Sequence, residues 1–191
     1  MIRDEYKQQL KETRAGWDGW GSSAVRNAGP EIVRWLNKQK RIHYVLDFGC
    51  GTGTLGEFVR AEQKRGFLRN DITWHEYDPS IDGKDVLPQG EYDAIVSVDV
   101  LEHVEPGSIN ETLEWIRAHC DRQYHHIDCN ETKDRLPDGR DVHLIVERPE
   151  WWEQKLLPPA HGWTLMERHV HDKRKRGRFP RTSCTFILER G

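Results

Sequence analysis

Three glycines spaced two apart, Gly49-Cys50-Gly51-Thr52-Gly53, follow directly on the apolar segment Val45-Leu46-Asp47-Phe48 and constrain this chain more than any other feature. The segment before them reads as a buried strand. After them Leu55, Phe58 and Val59 recur at the i, i+3, i+4 spacing of one helical face. Glycines at a strand-to-helix turn let a bulky ligand come close to the backbone, and the new helix points its free N–H groups at that ligand. A ligand-binding turn of this kind belongs to a fold assembled from strand–helix–strand units.

The rest of the chain alternates accordingly. Residues 1–15 read as a charged helical arm with Tyr6 and Leu10 as its apolar contacts, and residues 16–29 as a loop rich in Trp and Gly. Trp17 and Trp20 either fold over the ligand as a water-excluding lid or pack the arm. Pro30 suits the first turn of a helix carrying Ile32, Val33 and Leu36 and running to about Lys40. Strand 43–48 leads to helix 54–65, strand 72–77 follows, and strand 92–98 is nearly continuously apolar, as in a strand covered on both faces. Ser108 and Glu111 form a capping box for helix 108–119, strand 123–128 comes next, and residues 149–157 read as a short helix. The segments 163–171 and 182–189 have no helix between them, so they form an antiparallel hairpin around the basic turn 173–181. The expectation is an α/β fold, a mostly parallel sheet with a C-terminal antiparallel hairpin, with residues 1–29 as an appended arm and loop and 30–191 as the domain.

Composition narrows the partners. A net charge of −3 gives no global attraction to nucleic acid or membrane, so any basic site must be local. Four cysteines without a C-x-x-C pair read as reduced thiols of a cytosolic protein. No apolar run resembles a signal peptide or approaches the ~18 residues of a membrane span, so a cytoplasmic location is expected.

The glycines are spaced G-x-G-x-G, not the G-x-G-x-x-G of a nicotinamide dinucleotide site. Asp47 precedes them by two residues, and Asp78 in Tyr77-Asp78-Pro79-Ser80 ends the next strand, where a carboxylate can accept both hydroxyls of a ribose. Together with Tyr92–Val98 and the following Asp99-Val100-Leu101-Glu102-His103-Val104, these motifs resemble the class I S-adenosylmethionine-dependent methyltransferases, over residues 30–130. The likeness is to the small branch with a Leu-Glu-His-Val ending, similar to phage-encoded members. It implies a Rossmann-like doubly wound fold and S-adenosyl-L-methionine as cofactor. It further implies that Gly49, Gly51 and Gly53 admit the methionine part, and that Asp47 orders the loop or meets its amino group. Asp78 would hold the ribose, Asp85 and Val86 would flank the adenine after a short third strand, and Asp99 would end the fourth beside the methionine part.

The acceptor side rests on fewer residues. His103 can take a proton from a hydroxyl or amine, and His143, eight residues before Trp151-Trp152, resembles the substrate-side segment of phage methyltransferases. Asp99, Glu102 and His103 are similar to the E-x-x-E-H of coenzyme Q biosynthesis O-methyltransferases, which use a divalent cation. The Asp in first place is a shorter ligand, and no metal ligand is assigned. Base, metal and purely structural roles therefore stay open for Glu102 and His103. One of the Trp pair can wall a flat acceptor, and of His125 and His126 at most one faces the cleft. The expected reaction is methyl transfer to O or N of a small molecule. Two alternatives are methylation of a nucleotide or nucleic acid held by Lys173–Arg181, and a non-catalytic S-adenosylmethionine-binding module. No Asn/Asp-Pro-Pro-aromatic motif follows Asp99, which disfavours base methylation.

Overall fold

Apolar side chains alternate across the central strands, and a helical layer covers each face they present. The computed structural model describes residues 2–15, 23–158, 162–173 and 181–191. Its strands are β1 (Tyr44–Phe48), β2 (Thr73–Tyr77), β3 (Tyr92–Val98), β4 (Cys120–Asp128), β5 (Trp163–Lys173) and β6 (Arg181–Arg190). They form one sheet in the order β2-β1-β3-β4-β6-β5, parallel through β4 and antiparallel for β4–β6 and β6–β5. The helices are α1 (Asp4–Ala15), α2 (Ser23–Lys38), α3 (Thr54–Lys64), α4 (Ile109–Ala118) and α5 (Pro149–Leu156).

Val45, Ala94, Val96 and Ile187 point to the side where α2 and α3 bury Ile32, Leu36, Leu55 and Val59. Leu46, Ile95, Phe186 and Leu188 point the other way, onto Ile109, Leu113 and Ile116 of α4 and Trp152 and Leu156 of α5. Full burial of each such side chain is worth about 1.5–3 kcal/mol, so the two apolar layers hold the sheet. The chain leaves β1 through α3 to β2 on one side and then crosses back to β3 on the other. The strand order reverses there, and the ends of β1 and β3 open a crevice.

Two expectations are corrected. The helix expected to start at Pro30 begins at Ser23, with Pro30 in its interior. A proline there removes one helical hydrogen bond. The offset comes from tertiary structure: Ser23 and Asn27, one turn apart, both donate to Asp99 Oδ2, at 2.8 and 2.7 Å. Ala24, Ala28, Ile32 and Leu36 repeat every four residues along the buried face. The short third strand before Asp85 does not form, since the described chain runs from Tyr77 to Tyr92 without a strand. The Asp78 N–H, which a strand would use in its ladder, instead donates to Lys84 O at 2.9 Å in a tight turn.

Helix α1 lies against the 131–145 segment, where Tyr6 and Leu10 pack on Leu136 and Val142. Among the described residues no helix is long and apolar enough to cross a membrane.

Candidate functional site

A cleft of about 1630 Å³ opens at the carboxyl ends of β1 and β3. The glycine turn forms one wall. Gly49, Gly51 and Gly53 all have positive φ, at 82°, 55° and 94°, which side-chain-bearing residues rarely adopt. Gly49 and Cys50 donate to Tyr77 O at 2.7 and 3.0 Å, tying the turn to the end of β2. A Cβ on Gly49 would stand 2.5 Å from Val100 Cγ2, so the loop after β3 also fits only glycine. Gly53 begins α3, where Lys84 bridges Glu76 Oε2 at 2.7 Å and Thr52 O at 3.1 Å and so fastens the far side of the turn.

Three of the expected aspartates, Asp47, Asp78 and Asp99, occupy different electrostatic settings. Asp47 is buried, and its Oδ2 has no hydrogen-bond partner. Burial, followed by the charges of Glu76 and Asp78, pushes its carboxyl up to about 8. Asp78 is also buried but saturated: Arg14 binds it through both NH groups at 2.9 Å, Gly51 N–H at 2.9 Å, and Ser80 through N–H at 2.9 Å and Oγ at 2.8 Å. Burial works against its charge, yet the Arg14 guanidinium and the Ser80 donors outweigh it and keep the carboxyl below its ordinary value. Asp99 is the only non-glycine among the described residues at positive φ, 55°, a conformation Asp tolerates better than most. Burial would raise its carboxyl, but His126 Nδ1 at 2.7 Å, with Ser23 and Asn27, brings it down to about 2.

The cleft's other end is built from the short 3₁₀ turn Leu101–His103 and the 141–145 loop. The rings of His103 and His143 meet edge to face with centroids 4.7 Å apart. Each Nδ1 is held by a main-chain carbonyl, His103 by Val142 O at 2.8 Å and His143 by Asn130 O at 2.6 Å. A carbonyl only accepts, so both Nδ1 atoms carry a hydrogen, and the neutral tautomer this selects has its lone pair on Nε2. Desolvation and the facing His143 push His103 down to about 4, so its ring is neutral at physiological pH. Beside them Glu102 is fully buried. Its Oε1 accepts from Asp128 N–H at 2.8 Å, and its Oε2 has no partner. Burial, then the charge of Asp99, raises its carboxyl well above the ordinary value.

Gly49, Gly51, Asp47, Asp78, Asp99, His103 and His143 thus line one cleft. Gly53, Asp85 and Val86 do not: Gly53 faces the Glu76 carboxylate, 3.0 Å from where its Cβ would stand, Asp85 pairs with Lys7 at 3.1 Å, Val86 is 81% exposed, and Leu87 lines the wall instead. Trp152 is core and Trp151 packs beneath Lys155, whereas Trp115 of α4 lines the cleft. Of the adjacent histidines, His126 faces the cleft and His125 is buried between Ser97 and Gln123. Trp17, Trp20 and positions 174–180 of the basic run lie outside the described residues. Sequence reasoning passed over Arg14, Lys84 and Trp115. The one available signal was the run Arg3, Lys7, Lys11, Arg14, a cationic stripe at helical spacing that meets Glu105, Asp85, Asp82 and Asp78.

A sequence profile described as a methyltransferase domain matches residues 22–171. No curated protein sequence matches the chain. Among solved structures it is similar to a magnesium protoporphyrin IX methyltransferase from Synechocystis PCC 6803 with bound SAM, with 14% identity, TM-score 0.65 and 100% of both chains covered. It is also similar to the N-methyltransferase NodS of Bradyrhizobium japonicum WM9 in complex with S-adenosyl-l-homocysteine, at 14% identity and TM-score 0.60, covering 98% of this chain and 99% of that one. A third is the 1,6-didemethyltoxoflavin-N1-methyltransferase of Burkholderia thailandensis, at 16% identity and TM-score 0.58, covering 100% and 91%. At these identities the likeness is one of fold.

Proposed function

The chain belongs to the methyltransferase-domain family, and on that premise we propose that it transfers a methyl group from S-adenosyl-L-methionine to an oxygen or nitrogen of a small-molecule acceptor. One observation carries the reading: a single cleft is lined at once by the glycine turn, by Asp99 and by the His103–His143 pair. The solved neighbours support the cofactor, since all three are described with SAM or S-adenosyl-l-homocysteine bound, and two of them, named for magnesium protoporphyrin IX and 1,6-didemethyltoxoflavin, support the acceptor class.

In this reading the methionine part lies over Gly49 and Gly51, and its ammonium meets Asp47, whose buried Oδ2 otherwise lacks a donor. Asp99 borders the methionine end, and the ribose addresses Asp78. The adenine lies against Leu87, which supplies its apolar wall. The sulfonium methyl is intrinsically reactive, so the protein's work is to align it with a nucleophile and exclude water. Trp115 offers a flat wall to the cleft, and the Nε2 atoms of His103 and His143 receive the acceptor's polar hydrogen.

The test is cofactor calorimetry with methyl-label transfer into a metabolite extract. His103→Ala is expected to lower turnover by about 10²-fold or more and leave cofactor affinity unchanged. Unchanged turnover removes His103 from the chemistry. Failure to bind either S-adenosylmethionine or its demethylated product overturns the whole reading, and binding without transfer leaves a non-catalytic module.

A further inference from the structure

Glu102, His103 and His143 each offer a donor atom within 4.8 Å of the other two, and all three are tethered in ways that an isolated polar cluster does not need. The two imidazole Nδ1 atoms are anchored on main-chain carbonyls from separate segments, Val142 and Asn130, which fixes both tautomers with Nε2 as the lone-pair nitrogen. Metal-bound histidines are held in the same manner, by a carbonyl or carboxylate on the other ring nitrogen. Glu102 is fully buried with one oxygen fixed by the Asp128 N–H and the other left without a donor. An unsatisfied buried carboxyl oxygen costs at least the ~1–3 kcal/mol of an unmade hydrogen bond, and a cation at that position would relieve it. Asp99, the first acidic residue of the D-x-x-E-H stretch, is already spent on His126, Ser23 and Asn27 and does not complete the set; His143 does.

We propose that Glu102, His103 and His143 form a binding site for one divalent first-row transition ion. Two imidazole nitrogens and one carboxylate oxygen favour such an ion over magnesium or calcium, which prefer all-oxygen shells. Donors on a shared ion at ~2.1 Å stand about 3 Å apart when adjacent, so the three side chains close by at most about 2 Å on loading. His103 and His143 line the cleft, and the ion's remaining positions therefore face the acceptor's space.

The proposal rests on the methyltransferase reading only for what the ion does, and it deepens that reading in one respect. With the ion bound, both imidazoles would be ligands in place of proton acceptors, and an acceptor hydroxyl on the ion would lose its proton to solvent. The resulting oxygen then attacks the sulfonium methyl, the S–C bond breaks as the O–C bond forms, and the sulfur leaves with the electron pair as the neutral thioether. This selects acceptors with an ionisable oxygen.

The experiment is titration of the untagged full-length chain, stripped with chelator, first with Zn²⁺ by equilibrium dialysis and then with Co²⁺ followed by its visible d–d absorption. One ion per chain is expected, with nitrogen-ligated cobalt bands, and Glu102→Gln and His143→Ala are each expected to lower affinity at least tenfold. Glu102→Gln keeps the acceptor for the Asp128 N–H, so the fold is expected to survive it. No stoichiometric binding, or binding that both substitutions leave unchanged, overturns the proposal. Cofactor calorimetry on the same samples separates the two readings: cofactor binding without metal sinks only the metal site, and metal binding without cofactor sinks only the methyltransferase reading.

Discussion

Asp47 is a buried carboxyl that lies beside two further acidic side chains. Its burial beside Glu76 and Asp78 puts its pKa at about 8, far above the ~3.9 of an exposed aspartate. Between those values the folded chain holds a proton that the unfolded chain lacks, so this group's contribution to stability is complete below pH ~4 and declines as pH rises toward 8. Asp47→Asn removes that decline. The substituted chain is expected to melt higher than the parent at pH 8–9, by up to a few kcal/mol, and to differ less at pH 5, as thermal unfolding across pH will read. A ligand ammonium reverses the bias by favouring the ionised form. S-adenosylmethionine affinity is therefore expected to rise with pH through neutrality and to release a proton, measurable by calorimetry in buffers of different ionisation enthalpy. An affinity that is flat with pH removes Asp47 as the ammonium's partner.

At the scale of elements, the turn between β1 and α3 is held from both sides, by Tyr77 O beneath it and by Val100 against Gly49. Gly49→Ala meets Val100 and a positive φ together, and is expected to cost about 2–5 kcal/mol in denaturant unfolding. A chain that unfolds like the parent would show that the Val100 loop yields. This turn was legible because its signals are local: glycine spacing, an apolar strand before it, helical periodicity after it. Strand 92–98 was legible for the same reason, its apolar run being continuous. What was not legible depends on partners distant in the chain. Pro30 reads as a helix start by itself, and only the Asp99 carboxylate, reached by Ser23 and Asn27, explains the earlier beginning of α2. Trp115 is an ordinary helix residue until Phe48 and the cleft edge are placed beside it. Likewise His143 and Glu102 meet only because Ile145 N–H bonds to Glu102 O at 3.0 Å, a link across the fold that no spacing records.

For the whole molecule, the arm and the site are one structure. Helix α1 is bound across the crevice through its cationic stripe, and its last turn delivers Arg14 to Asp78. A carboxylate has about four lone-pair positions, and Asp78 already receives five donors: two from Arg14, one from Gly51 and two from Ser80. Ribose hydroxyls cannot be added until Arg14 withdraws. Arg14→Ala is therefore expected to tighten S-adenosylmethionine binding, by up to about tenfold or ~1.4 kcal/mol. Calorimetry that shows weaker binding would instead make Arg14 a contact of the cofactor. The opposite border of the sheet has a different consequence. Strand β5 ends the sheet with eleven residues. A free row of N–H and C=O groups of that length invites a strand from another chain, which is how sheets grow into aggregates. Here the register slips between Leu165 and Glu167, and Glu167 and Arg168 bring charge to that outer border. The same hairpin that completes the fold thus also limits its growth, and the sheet stops at six strands.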